Sequence, residues 1–193
     1  MRTWTTGMLA GTFAGAAATF PMTALMVAGH RGLPWRQRHP LPPAHVTHSL
    51  LASVNLDDEL SPPQQAAVAI ANHFAYGAAM GALYSLVGGT QAHDRPLAAG
   101  VGFGLAVWGA NYFGLLPTFD LYRSSSKEPL PRTLLLVSAH VVWGASLGLL
   151  TNTALRSMER RASLDGTPRA ARESDAAARY PRQQAADAAY SPE

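Results

Sequence analysis

Two short segments place an ionisable side chain above small residues in an arrangement that could do chemistry. They are His73-Phe74-Ala75-Tyr76-Gly77-Ala78-Ala79-Met80-Gly81 and His140-Val141-Val142-Trp143-Gly144-Ala145-Ser146-Leu147-Gly148. Both read as His, two apolar residues, an aromatic, Gly, three residues, Gly. Residues four apart share a helix face, so each imidazole stands at one end of a glycine groove. Three uses compete. The simplest is an interhelical fastener, since an unsatisfied polar side chain in lipid is costly. The second is a proton or solute path, because intramembrane ionisable groups mark such paths and imidazole titrates near neutrality. The third is axial ligation of haem b by His73 and His140, with the glycines leaving room for the macrocycle. The second lacks a carboxylate relay and the third offers only one histidine pair, so the sequence leaves all three open.

The remaining residues offer little chemistry. There is no cysteine, which removes disulfides, thiolate metal sites and thiol nucleophiles. Nucleophile-elbow, phosphate-loop and metalloprotease motifs are lacking, and Ser124-Ser125-Ser126 reads as a polar turn. His45 and His48 are three apart but have no carboxylate beside them, which makes a poor metal site. His30 and His93 fall at helix ends as solvated imidazoles, and His39 falls in a loop. No catalytic residue, metal site or resident cofactor is assigned, and the function expected is non-enzymatic.

The elements that position the two histidines follow from charge. Only 14% of the 193 residues are charged, against roughly 25% in soluble domains, and nearly half of those charges follow Leu155. Residues 5–28, 66–87, 97–116 and 133–155 carry no Lys, Arg, Asp or Glu, and each reaches the roughly 20 residues that cross a bilayer. A cleaved signal peptide is the competing reading of the first, but its apolar stretch far exceeds the usual length of about 7–15 residues. The fold expected is therefore all-α: a polytopic membrane bundle of four transmembrane helices over residues 1–155. The loop 31–65 is rich in proline, and Ala44 to Val54 reads as a short interfacial helix. Residues 156–193 read as a tail that continues the last helix for a few turns and then becomes disordered. Its arginines are dispersed among acids, so no nucleic-acid partner is expected; the lipid bilayer is the partner.

Glycine spacing supplies the packing. The first span carries Gly7, Gly11 and Gly15, the second Gly77 and Gly81, the third Gly100 and Gly104, and the fourth Gly144 and Gly148. Such faces let backbones approach closely, so the grooves are expected to face one another, and unused faces could support a homo-oligomer. Counting about 1.5 Å of rise per residue from each helix midpoint places Thr19, His73, Asn111 and His140 at one depth, with Asn72 beside them. Pro21 leaves the Ala17 carbonyl free near that layer. The repeated motif suggests two similar helical hairpins. Basic residues nearly balance across the membrane, and the tail tilts both termini toward the cytoplasm.

With these residues in view, the chain resembles the YagU-like group of small bacterial inner-membrane proteins. The likeness rests on Gly7, Gly11 and Gly15, on the connection from Gly32-Leu33-Pro34 through Leu41-Pro42-Pro43, and on the two His-x3-Gly-x3-Gly helices. It covers roughly the first 155 residues. The resemblance implies a multi-pass protein of the bacterial cytoplasmic membrane and supplies no catalytic residue to carry over; the role expected is structural or stress-related. A small permease or conducting bundle using His73 and His140 is the alternative.

Overall fold

In a computed structural model, the backbone is described for residues 4–88, 94–119, 121 and 128–189, and side chains within these segments through Ser163. His93 and Ser124 to Ser126 lie outside the described residues. Every regular element described is helical: α1 (Trp4–Gly32), a 3₁₀ turn (Trp35–Gln37), α2 (Pro42–Ser53), α3 (Pro62–Val87), α4 (Pro96–Thr118) and α5 (Leu130–Ala189). Four of them, α1, α3, α4 and the Leu130–Ser163 part of α5, are long and apolar enough to cross a membrane. The protein is an all-α membrane bundle with a short helix in its first loop. One compact unit is Met1–Thr153 and a second is Ala154–Glu193. In the second unit the backbone is helical through Ala189, beyond the few turns expected, in a stretch rich in the strong helix formers Ala, Arg and Gln.

The helix starts follow from local chemistry. Pro62 opens α3 after Ser61, whose backbone N–H donates to the Gln64 side chain at 2.8 Å, one half of a capping box. Pro42 and Pro43 open α2, which ends where Asn55 takes φ 56° and the Leu56 N–H bonds back to Leu51 at 3.0 Å. Inside α4 the turn Ala110–Leu115 widens to π-helical spacing just before Pro117. Proline cannot donate to the carbonyl four residues back and clashes with it, which supplies a local cause for the wider turn.

Glycine decides which helices meet. A Cβ added to Gly11 would fall on the Gly81 carbonyl oxygen, one on Gly15 on the Gly77 carbonyl, and one on Gly81 on the Gly11 carbonyl. Likewise Gly100 faces the Gly144 carbonyl, Gly104 that of His140, Gly144 that of Gly100, and Gly148 that of Pro96. Thus α1 pairs with α3 and α4 with α5, each through backbone against backbone. Gly7, on the same stripe as Gly11 and Gly15, has only open space at its Cβ position, so it takes no part in this seam. The two hairpins join through larger side chains: Ala18, Met22 and Tyr84 of the first share one buried cluster with Val107, Leu136, Trp143 and Leu147 of the second. In lipid this association rests on dispersion and interhelical hydrogen bonds, because apolar burial gains nothing there.

The first loop is tied to the start of α5 by a buried cation. Arg132 is fully buried; one terminal nitrogen donates to the carbonyls of Gln37 at 3.0 Å and His39 at 3.2 Å, the other to Pro40 at 2.7 Å. Its Nε lies 3.3 Å from Glu128 Oε2, which is 3.7 Å from His39 Nε2. His30 donates from Nε2 to the His39 carbonyl at 3.1 Å, so it is not the simply solvated imidazole the sequence suggested. The spacing of the sequence marks Arg132 only as a helix boundary. Its pairing with residues more than ninety positions away is a tertiary outcome.

Candidate functional site

All five residues of the expected polar layer, Thr19, Asn72, His73, Asn111 and His140, line one cavity of about 360 Å³. Each transmembrane helix contributes to it. α2 closes one side with Pro42, Pro43, Val46 and Leu50, and is held there by the Asn72 amide donating to the Thr47 hydroxyl at 3.2 Å. The loop helix therefore covers the cavity as well as lying beside the bundle. Met22, Met26, Val107, Leu115 and Leu116 supply apolar wall, and no Asp, Glu, Lys or Arg lines the cavity among the described residues.

The layer is reached from opposite directions. Thr19 lies one turn beyond Gly15 and donates to its carbonyl at 2.9 Å, while His73 and His140 lie one turn before Gly77 and Gly144. Because those glycines bring the backbones together, the polar groups at the seam ends converge. The π turn of α4 then faces both Asn111 and Tyr112 inward, although adjacent residues of an α-helix point about 100° apart.

The two imidazoles have different surroundings. The ring nitrogen Nδ1 of His140 is 2.8 Å from the Leu136 carbonyl, which can only accept, so Nδ1 carries the proton and neutral His140 keeps a lone pair on Nε2. Tyr112 meets the same ring edge-on at 5.9 Å. His73 Nε2 is buried with no hydrogen-bond partner. Among the described residues neither ring bonds to a neighbouring helix.

The fastening falls to the aromatic position of each repeated motif. The Tyr76 hydroxyl of α3 sits 2.8 Å from the nitrogen and 3.0 Å from the oxygen of the Asn111 amide in α4. Reciprocally, the Trp143 indole of α5 donates to the Gly15 carbonyl of α1 at 3.2 Å. Each hairpin thus reaches into the other from the residue three after its histidine. The motif's aromatic was visible in the sequence; its partner was not. Replacing Trp143 by Phe removes one such link and should lower unfolding stability by about 1 kcal/mol, read by thermal unfolding in detergent. An unchanged midpoint would show that the indole N–H contributes nothing to joining the hairpins.

A Cβ on Gly77 would meet the Thr19 hydroxyl and one on Gly144 the Gly100 carbonyl, so the glycines that the haem reading leaves free for the macrocycle are taken up by contacts with neighbouring helices. Among the described residues no group of three His, Asp or Glu could hold an ion. Sequence reasoning missed the cavity wall from Met22 and Met26, the cover by α2 and the position of Tyr112. Pro117 was the one local signal for the last of these. Compared with known proteins, the chain matches no protein-family model, no curated protein and no solved structure.

Proposed function

We propose that the protein is a non-enzymatic integral membrane protein that holds a small solute in its intramembrane cavity, as a binding bundle or small permease using His73 and His140. One observation carries this reading: polar groups from all four spans converge on a cavity that no charged side chain lines among the described residues, and in which a buried imidazole nitrogen has no partner. A purely structural or stress-related role would leave that nitrogen unexplained, since polar groups inside lipid are expensive unless satisfied. The resemblance to the YagU-like group supports a bacterial cytoplasmic membrane, and the basic residues of the tail favour both termini on the cytoplasmic side. Tight binding should raise the unfolding midpoint of the purified protein, by about 2.7 kcal/mol of stabilisation at a hundredfold excess over Kd. A panel of apolar and polar small molecules tests this. Stabilisation that survives both His73→Ala and His140→Ala, or none from any compound, would remove the reading. A haem absorption band abolished by either substitution would replace it with the redox alternative.

Self-association is a second expectation. Gly7, Gly102 and Gly109 have open space at their Cβ positions and remain free of the intramolecular seams. Crosslinking in native membranes should trap a homo-oligomer. Recovery of monomer alone would overturn this.

A further inference from the structure

We infer that the cavity's ligand is an uncharged molecule with a single hydroxyl and an apolar chain, its hydroxyl held between the imidazoles of His73 and His140. This rests on the solute-holding reading above. Charge is decided first. The cavity wall has no ionic side chain among the described residues, and Arg132 and Glu128 are engaged with each other and with the first loop. With no counter-ion in the wall among the described residues, a charged ligand at hydrocarbon depth would be costly.

Hydrogen-bond demand then selects the head. The Leu136 carbonyl holds the proton of His140 on Nδ1, so the free nitrogen Nε2 asks for a donor. His73 Nε2 is buried and unpartnered, and its tautomer is not fixed by any partner on that nitrogen, so it can donate. One N–H of the Asn111 amide remains after the other meets Tyr76. The site therefore presents an acceptor and donors together. A ketone or ether cannot supply the donor, and an amine or carboxylic acid is ionised at neutral pH. A hydroxyl donates once and accepts twice.

Size and wall chemistry select the rest. Met22, Met26, Val46, Leu50 and Val107 offer flexible apolar contact suited to a chain. A volume of about 360 Å³ lies near the lower end of small-molecule sites, roughly 300–1,000 Å³. That admits one chain of moderate length and excludes a two-chain phospholipid, whose head is also charged.

The test uses the full-length protein in proteoliposomes and a photoactivatable twelve-carbon alcohol as probe. Competitors are 1-dodecanol, its methyl ether, dodecanoate and dodecyltrimethylammonium, compared at equal membrane concentrations. The expected result is saturable labelling of cavity-wall peptides, with the alcohol competing about tenfold better than the ether, as loss of a buried hydrogen bond implies. His140→Phe, and separately His73→Phe, should erase that preference while labelling persists. Two variants are used because a substitution at a buried ring can disturb folding, which the unfolding midpoint checks. Equal competition by ether and alcohol, or stronger competition by either charged compound, overturns the hydroxyl inference while leaving a solute-binding cavity. Absence of saturable labelling by the alcohol overturns the hydroxyl inference, and stabilisation by other members of the small-molecule panel then decides whether the cavity holds a solute at all.

Discussion

Gly144→Ala or Gly15→Ala should destabilise the folded bundle by several kcal/mol, although a helix otherwise prefers alanine over glycine by about 1 kcal/mol. The sign is reversed by what the new methyl would meet. At Gly144 it falls on the Gly100 carbonyl, and at Gly15 on the Gly77 carbonyl. These are backbone atoms held in helical hydrogen bonding, so they cannot rotate aside as a flexible side chain could. The whole seam must open, and every dispersion contact along it weakens together. Overpacking alone typically costs about 1–3 kcal/mol, and separation of two helices adds to that. Gly7→Ala is the matched control: with open space at its Cβ position, it should be neutral or slightly stabilising. Denaturant titration of the detergent-solubilised protein measures all three. Equal stability of Gly144→Ala and Gly7→Ala would show that the seams are looser than described. Gly15→Ala and Gly77→Ala touch one seam, so the double variant should cost less than the sum of the singles.

Arg132→Met is expected to have the second-largest effect, about 3–5 kcal/mol, the usual result of removing one partner from a buried ion pair. Two losses combine here. Glu128 stays buried without its cation, and the carbonyls of Gln37, His39 and Pro40 lose their donor. The first loop should then detach from α5, and limited proteolysis between Leu33 and Leu41 should accelerate. Adding Glu128→Gln to Arg132→Met should recover part of the stability by removing the stranded charge, yet leave the loop protease-sensitive because its carbonyls still lack a donor. If the single variant resists protease as well as the original chain, the clamp does not hold the loop.

Much of the site could be read along the chain because helix geometry is fixed. Counting residues from each span's midpoint put Thr19, His73, Asn111 and His140 at one depth, and these residues do line one cavity with Asn72. The arithmetic needs only a constant rise and alternating helix direction. The span positions were legible for a related reason, since crossing hydrocarbon demands a long uncharged run whatever the neighbours are. The short loop helix was legible from its leading prolines, and lies at Pro42–Ser53.

Partner choice was not legible. Four glycine-bearing stripes of equal spacing could pair in several ways, and only shape matching in three dimensions selected α1 with α3 and α4 with α5 while leaving Gly7 open. The polar links show the same limit. Imidazoles beside glycine suggested fasteners, but the His140 proton goes to its own helix and the joining passes to Tyr76 and Trp143, whose rings are long enough to reach the other hairpin. Arg132 looked like a boundary residue because a basic side chain before an apolar run normally meets water; a proline-rich loop folded over it and supplied three carbonyls instead. What the amino-acid order alone determined was everything set by periodicity within one helix: the spans, their smooth faces and the level of the polar layer. What only the tertiary structure decided was which faces meet, what α2 covers and where the buried cation finds its acceptors, because those depend on complementarity between segments far apart in the chain, which no local spacing encodes.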